Sequence, residues 1–257
     1  FKTYSYHENY VYRSLWKIAK KFSYIGTQII ICSKNDNHSI QEALEFIDPF
    51  YKNFITHIDS GWGLKSERIK QMINKMNIGA DSCLFIDDNE IEVGSVKNKI
   101  PNLNVIKFDK KTILNDLVNH DYYFFNHSKK VDIDRNNFYK GVLKSSIKSD
   151  GKIDLDYTFT FHINQPDHFE RVCELSTKTN QMNFNKLPIY KTNKENTIYT
   201  ITCKTSFSDL GIIGYAIYNN NNRVLVNFVM SCRALGFGLE EKFYNKIIDY
   251  KPIDNIE

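Results

Sequence analysis

Acidic and amide side chains follow a short apolar run in the first half of the chain. The segment Phe85–Glu92 reads FIDDNEIE, so a hydrophobic run ends directly in Asp87, Asp88 and Asn89. Two adjacent carboxylates repel each other and are most easily tolerated where a hard cation neutralises them. Because oxygen ligands of this kind suit Mg²⁺, we predict a magnesium site at Asp87 and Asp88. An exposed turn that caps a helix is the alternative interpretation of the same residues.

Two further polar residues stand at positions suited to binding a phosphoryl group. The apolar run that precedes Ser33 opens into small polar residues, and Lys65 stands at the start of a predicted helix. The Ser33 hydroxyl and the N–H groups after it could hold a phosphoryl oxygen, as turns and helix N-termini do. The Lys65 ammonium could neutralise phosphate charge, and a solvated surface side chain is its alternative interpretation.

The elements that position these residues alternate between short apolar strands and amphipathic helices. Helical spacing and apolar runs predict, in chain order, a helix at Tyr10–Phe22, a strand at Thr27–Ser33, helices at Ser39–Phe46 and Ser66–Met76, and strands at Ser82–Ile86 and Leu103–Phe108. Strands separated by helices imply right-handed crossovers and a doubly wound parallel sheet. In such a sheet the ligand chemistry lies at the carboxyl ends of the strands.

The second half of the chain predicts another α/β unit. A polar stretch with two helical pieces connects the halves, and alternating strand-like runs follow it. The runs at residues 211–218 and 223–230 are separated by a short turn and predict a hairpin. A glycine-containing segment, CRALGFG, precedes a final helix at residues 239–249.

Composition excludes several classes of protein. The chain has 257 residues, 34 basic and 30 acidic side chains and a net charge of +4, with no long basic run. Its five cysteines are scattered without a CxxC pair, and its histidines stand singly, which disfavours a disulfide framework or a zinc site. No apolar stretch is long enough to span a bilayer. We therefore expect a cytoplasmic protein whose partners include neither nucleic acid nor membrane.

The order and spacing of Ser33, Lys65, Asp87 and Asp88 resemble those of the haloacid dehalogenase superfamily. In that superfamily a Ser or Thr binds the phosphoryl group, a Lys stabilises an aspartyl-phosphate, and an acidic pair holds Mg²⁺. The resemblance implies catalytic roles for Ser33 and Lys65, and it makes Asp87 and Asp88 the metal ligands.

Further segments narrow the resemblance to the FkbH-like branch of this superfamily. ICSKND, the W-x-x-K of Trp62 to Lys65, and FIDDNxxE match its first half. The segments LSTKTNQMNF, FSDLGIIG and MSCRALGFGLEE look like signature segments of its second half. That second half is similar to the N-acetyltransferase (GNAT) fold, whose R/Q-x-x-G-x-G/A motif binds a pyrophosphate. Arg233, Gly236 and Gly238 fit the spacing, and a plain glycine-rich turn is the alternative.

The resemblance also implies a reaction. Members of the branch are implied to take the glyceryl group of 1,3-bisphosphoglycerate, a phosphorylated small-molecule substrate, and to load it onto the phosphopantetheine arm of an acyl carrier protein. A cysteine thiolate would suit such an acyl relay. Cys232, beside Arg233, and Cys32, beside Ser33, are the candidates. Either could equally be a small buried hydrophobic residue, and this is the interpretation that we favour for Cys32.

The superfamily's nucleophile is the feature that this sequence lacks. No Asp-x-Asp-x-Thr/Val segment precedes the first predicted strand, and the first aspartate of the sequence is Asp36. Either the chain is a fragment that lacks this segment, which we favour, or the protein is a non-catalytic module that binds an acyl carrier protein or coenzyme A. The predicted fold class is α/β: a truncated dehalogenase-like doubly wound sheet over residues 1–112, a helical connector over 113–150, and a GNAT-like α/β domain over 151–257.

Overall fold

A computed structural model of the protein describes residues 10–120, 133–149, 152–179, 181–191, 193–251 and 255–256. The chain divides into two compact units, Phe1–Leu143 and Lys144–Glu257. Helices and strands alternate in the first unit, and a larger sheet with helices forms the second. The predicted α/β class is therefore confirmed, while the domain assignments at 1–112, 113–150 and 151–257 stay predictions.

The first unit follows the predicted alternation and adds one strand and one helix to it. Its elements are α1 (Tyr10–Tyr24), β1 (Ile29–Ser33), α2 (Asn37–Ile47), β2 (Ile55–Ser60), α3 (Lys65–Met76), β3 (Leu84–Asp87), α4 (Glu90–Lys99), β4 (Asn104–Lys107), α5 (Ile113–Asn119) and α6 (Ile133–Lys144). The helix that was not predicted is α4, and the strand that was not predicted is β2. Its polar residues His57 and Asp59 interrupt the apolar run that marks a buried strand.

The strands of this unit form two separate parallel pairs. β1 pairs with β2, which sets Cys32 opposite Asp59. β3 pairs with β4, which sets Asp87 opposite Lys107. Among the described residues no pairing joins β1 to β3. The predicted single doubly wound sheet is thus not confirmed, and two half-sheets stand in its place.

Each half-sheet has its own apolar core. On the β1–β2 side, Ile40 and Leu44 of α2 pack with Phe54 and Ile55, and Trp16 of α1 packs against them. On the β3–β4 side, the buried cluster comes from α3, from α4 and from the turn between α4 and β4: Ile69, Ile73, Val96, Ile100 and Leu103. Burying a side chain of this size contributes roughly 1.5–3 kcal/mol. Each half-sheet is therefore stabilised by helices packed on it.

Helix α6 belongs to the first unit. The Thr56 hydroxyl of β2 donates to Asn136 Oδ1 at 2.7 Å, and the Lys75 ammonium of α3 donates to the carbonyl of Leu143 at 2.7 Å. Asn136 is almost completely buried, and its amide also reaches the carbonyl of Asn53. These contacts fasten α6 to the loop that begins β2 and to the end of α3.

The second unit is built on one sheet. Its elements are β5 (Tyr157–Ile163), α7 (Phe169–Lys178), β6 (Met182–Asn183), β7 (Asn196–Thr205), β8 (Asp209–Asn219), β9 (Val224–Met230), α8 (Leu239–Tyr250) and β10 (Asn255–Ile256). The strand order is β10-β9-β8-β7-β5, and β6 also pairs with β9. β10 runs parallel to β9, and the other pairs are antiparallel. The predicted hairpin of β8 and β9 is confirmed.

A glycine lets β8 and β9 approach each other closely. Gly214 of β8 lies opposite Met230 of β9. A Cβ atom at Gly214 would lie 2.9 Å from the carbonyl oxygen of Val229 and still closer to the Met230 sulfur. Met230 is fully buried. The glycine of the FSDLGIIG segment therefore provides the space that the methionine fills.

In the described part of the chain, no helix is both long and apolar enough to cross a membrane.

Candidate functional site

A buried ion pair lies at the carboxyl end of β3. Lys65, the first residue of α3, donates to Asp87 Oδ2 at 2.5 Å, and the two side chains are only 13% and 6% exposed. The other oxygen of Asp87 accepts the backbone N–H of Asn89 at 2.9 Å. Because both charges are largely removed from water, loss of either partner would leave a buried charge without compensation.

Arg68, one helical turn after Lys65, fastens the ends of β1 and β2. Its guanidinium donates to the carbonyl of Gly61 at 2.5 Å, of Asp59 at 2.6 Å and of Ser33 at 3.2 Å. It also pairs with the Asp59 carboxylate at 2.7 Å. Arg68 was not among the predicted site residues, although its place three residues after Lys65 on a predicted helix puts the two side chains on one face.

The first turn of α3 thus connects the carboxyl ends of the two half-sheets. Arg68 binds the end of β1 through the backbone of Ser33, and Lys65 binds the end of β3 through Asp87. The Ser33 hydroxyl accepts from the Asn35 side-chain amide at 3.1 Å. The structure therefore brings three predicted site residues, Ser33, Lys65 and Asp87, to one edge of the unit. Their catalytic and metal-binding roles stay predictions.

The helix-capping alternative is confirmed for one residue of the acidic segment. Asn89 Oδ1 accepts the backbone N–H of Ile91 at 2.9 Å and of Glu92 at 3.4 Å, so it caps α4. Asp87 points to Lys65 instead, and Asp88 between them is exposed. The adjacent aspartates therefore occupy different environments, although they are neighbours in sequence.

The residues around Asp87 have the chemistry of a cation site in part. Glu92 is buried and forms an ion pair with Lys34, and its Oε2 has no hydrogen-bond partner. Together with Asp87 and Asp88 it supplies hard oxygen donors of the type that Mg²⁺ prefers. Across the described ranges, however, no three or more His, Cys, Asp or Glu side chains are grouped so as to hold a metal ion. The donor types fit Mg²⁺, while Lys65 neutralises Asp87 in this arrangement.

Cys32 is unsuited to thiolate chemistry. Burial, together with a hydrogen bond from its thiol to Asp59 at 3.3 Å, raises the pKa of Cys32 to about 12. At neutral pH the thiol therefore stays protonated, and it packs against the apolar cluster under β3. The structure favours the interpretation of Cys32 as a small hydrophobic residue.

The predicted pyrophosphate motif lies between β9 and α8 in the second unit. Cys232 and Arg233, both half-buried, lie in a short 3₁₀ turn, and two glycines follow. Gly236 has φ of 87° and Gly238 has φ of 72°, and Gly238 is the residue immediately before α8. Residues with a side chain rarely adopt these conformations. The turn therefore requires glycine at both positions of the motif.

Charged side chains of both signs surround the start of α8. A Cβ atom at Gly238 would lie 3.0 Å from the Lys152 ammonium, so this lysine lies directly over the glycine. The first turn of α8 carries Glu240 and Glu241, and Lys152 lies 3.6 Å from the Glu241 carboxylate. The lysine would favour an anion at the helix start, whereas the two glutamates already provide negative charge there.

Comparison with known proteins adds little to what the geometry of the two sites indicates about function. No protein-family model and no curated protein matches the chain. A solved structure that resembles it is the N-terminal part of the protein BF1531 from Bacteroides fragilis, which contains a phosphatase domain complexed with Mg. The identity is 24% over 47% of this chain and 32% of that one, with a TM-score of 0.42. The chain thus spans about a third of that structure, and so low a similarity assigns no family.

Proposed function

We propose that the first unit is part of a Mg²⁺-dependent phosphatase domain of the haloacid dehalogenase type, built on a doubly wound sheet. The observation that supports this most directly is the convergence of Ser33, Lys65 and Asp87 on one edge, joined by α3. Ser33 and the N–H groups after it would hold a phosphoryl oxygen, and Lys65 would neutralise its charge. The attacking aspartate would come from a segment outside this sequence.

In this proposal Asp87 and Asp88 hold the metal ion. When bound, Mg²⁺ would polarise a phosphoryl oxygen and neutralise developing negative charge. Lys65 would then turn from Asp87 toward the phosphate, which its long flexible stem allows. Arg68 would keep Ser33 in place, because it holds the backbone of that residue rather than its hydroxyl.

The proposed reaction removes both phosphates of 1,3-bisphosphoglycerate, one displaced from the acyl carbon by a thiol and the other released by water. It delivers the glyceryl group as a thioester to the phosphopantetheine arm of an acyl carrier protein. Cys232 of the second unit would carry the acyl group as a thioester, and Arg233, Gly236 and Gly238 would hold the pyrophosphate of a coenzyme A-like ligand. The supporting observations are the half-burial of Cys232 and the glycine-dependent turn that follows it.

The test uses the full-length gene product with 1,3-bisphosphoglycerate, Mg²⁺ and a carrier protein bearing its arm, and it reads the intact mass of the carrier. We expect a glyceryl mass gain that is lost in Asp87→Asn and Cys232→Ser variants. Asp81→Asn is the matched control, because Asp81 is exposed and precedes β3 at the opposite end from Asp87. If no variant differs from the wild type, or the wild type transfers nothing, the proposal fails.

Metal binding can be tested on the 257-residue chain alone. Titration calorimetry with Mg²⁺ should give a binding signal that Asp88→Asn removes. Asp88 is exposed, so this variant should unfold at the wild-type temperature. Absence of a signal from the folded wild-type chain would remove the metal from the proposal.

A binding module is the second candidate function. The observation that favours it is the helix start at Gly238, with two left-handed glycines and Lys152 above them. Such a module would bind coenzyme A or a carrier's arm without releasing phosphate. Calorimetry with coenzyme A should then give a signal that Gly238→Ala weakens, in a protein whose full-length form leaves 1,3-bisphosphoglycerate intact.

A further inference from the structure

Two histidines that stand singly in the sequence meet in the second unit. His162 lies near the end of β5, and His168 lies just before α7. Their ring centres are 4.8 Å apart, with the ring planes at 80° to each other, and both residues are half-buried. Imidazole is the commonest metal ligand among protein side chains. The fold therefore brings together two donors that the sequence separates.

A threonine of β7 holds each of the two rings. Nε2 of His162 lies 3.1 Å from the Thr202 hydroxyl oxygen, and Nδ1 of His168 lies 2.7 Å from that of Thr200. Thr200 is almost completely buried. A hydrogen bond at one ring nitrogen fixes the orientation of the ring and its tautomer, and metal-bound histidines are held in this way.

The second nitrogen of each ring is left for a ligand. Among the described residues, no hydrogen bond joins Nδ1 of His162 or Nε2 of His168 to another protein group. Two nitrogens bound to a tetrahedral zinc ion at about 2.0–2.1 Å lie about 3.3 Å from each other. Rings whose centres are 4.8 Å apart bring two nitrogens within reach of this separation.

The turn between β5 and α7 fixes the second histidine beside the sheet. Asn164 has a φ of 48°, a left-handed conformation that asparagine adopts more readily than most residues. Its backbone N–H donates to the Ile198 carbonyl at 2.8 Å, and its Oδ1 accepts the Ile198 N–H at 2.8 Å. A short 3₁₀ turn, Pro166–His168, then leads into α7. Paired strands and a doubly bonded turn thus position both rings, as a preorganised site requires.

The donor types select the class of metal ion. Imidazole nitrogen suits zinc, copper and nickel, whereas Mg²⁺ prefers oxygen ligands. Within the part of the chain that the structure describes, no three or more His, Cys, Asp or Glu side chains are grouped to hold a metal ion. The protein would therefore supply two ligands, and water would supply the others.

We propose that His162 Nδ1 and His168 Nε2 together bind one Zn²⁺ ion, whose remaining coordination positions are filled by water. Thr200 and Thr202 act as positioning residues, because they hold the rings and do not touch the ion. The bound ion would fasten the end of β5 to the turn before α7. The inference depends neither on the proposed phosphatase chemistry nor on the proposed acyl transfer.

Titration calorimetry of the full 257-residue chain with Zn²⁺ tests the proposal. The protein carries no added histidine tag, and excess Mg²⁺ is present to fill sites made of oxygen ligands. We expect one Zn²⁺ per chain. His162→Gln and His168→Gln should each weaken binding by at least about tenfold, because each removes one of the two protein ligands. Zn²⁺ should also raise the unfolding temperature of the wild type and of neither variant.

Matched variants separate this site from other histidines and from general effects of substitution. His38→Gln removes a histidine of the first unit whose side chain is 81% exposed, and it should change the affinity by no more than about twofold. Thr202→Val removes the hydroxyl that orients His162, and it should weaken Zn²⁺ binding about tenfold. Thr160→Val is its control, because Thr160 is exposed on the same face of β5 as His162.

Several results would overturn the proposal. They are no Zn²⁺ binding by the folded wild type, undiminished binding by either variant of the pair, an equal loss in His38→Gln, or equal effects of the two threonine variants. One Zn²⁺ per two chains with a zinc-dependent dimer would also overturn it, because a second copy rather than water would then complete the site. None of these outcomes bears on Mg²⁺ binding at Asp88 or on glyceryl transfer, which are measured separately.

Discussion

The two candidate sites of this molecule are organised by different forces. In the first unit, the site edge is held by charged side chains: Lys65 with Asp87, and Arg68 with Asp59. In the second unit, the turn before α8 is set by the backbone conformations of two glycines. The first site should therefore respond most to removal of charge, and the second to addition of a side chain.

The largest effect is expected when one member of the buried ion pair is removed. Asp87→Ala leaves the Lys65 ammonium buried without its partner, and we expect a loss of about 3–5 kcal/mol in the free energy of unfolding. Urea denaturation measures it. The matched control is Glu90→Ala, which breaks the exposed pair with Lys107 and should cost less than about 1 kcal/mol. Equal losses would show that burial does not distinguish the two pairs.

Alkylation of the Cys32 thiol is expected to be much slower than that of an ordinary thiol. Since the pKa is raised from 9.0 to about 12, the thiolate fraction at pH 8 should be about a thousandfold below that of an ordinary thiol. Mass spectrometry after iodoacetamide treatment should find Cys32 unmodified when exposed thiols have reacted. Asp59→Asn removes a cause of the shift, and it should raise the rate at Cys32. Rapid labelling of Cys32 in the folded wild type would contradict the prediction.

A smaller loss of stability is expected when a side chain is added to the glycine turn before α8. Gly238→Ala places a side chain at a φ of 72° and against Lys152, and we expect a cost of about 1–2 kcal/mol. Gly94→Ala is the control, because Gly94 lies inside α4 with no atom within 4 Å of an added Cβ. That variant should be stabilised by about 0.5–1 kcal/mol. Thermal and urea unfolding compare the two, and changes of the same sign would contradict the assignment.

The smallest effect is expected at an exposed carboxylate of the second unit. The Gly211 N–H and then Lys204 lower the pKa of Asp209. A lowered pKa gives stability that is present above the ordinary pKa of the carboxyl and is lost as pH falls through the folded value. Because the side chain is half exposed, we expect Asp209→Asn to cost only about 0.5 kcal/mol at pH 7. Urea denaturation should give no difference between variant and wild type at pH 2.

The parts of the fold that sequence reasoning predicted are those with a local signal. The apolar runs of β1 and β3 and the helical spacing of α3 were predicted close to their observed positions. Asn37 begins α2 two residues before the predicted start, because the Asp36 carboxylate caps it through the Ser39 N–H. The residues at the carboxyl edge were predicted as a group from the family resemblance, together with the rule that ligand chemistry lies at the carboxyl ends of parallel strands.

The remaining features depend on contacts between distant segments. Arg68 donates to the backbone of Ser33, which lies 35 residues earlier in the sequence. It can do so only because β1 and β2 end beside it in the folded chain. The separation of β1 from β3 likewise follows from strand pairing, which no local pattern encodes. The opposite environments of Asp87 and Asp88 arise because only one of them faces α3.

The fit of Met230 into the space at Gly214 also sets which residues of β8 and β9 can face each other. The Met230 side chain fills the space that a side chain at position 214 would need, so a larger residue at 214 would require a smaller one at 230. A shift of the hairpin by two residues keeps every side chain on its own face but places Ala216 rather than Gly214 opposite Met230. The Gly214–Met230 pair therefore favours the observed register of the hairpin over a register shifted by two residues.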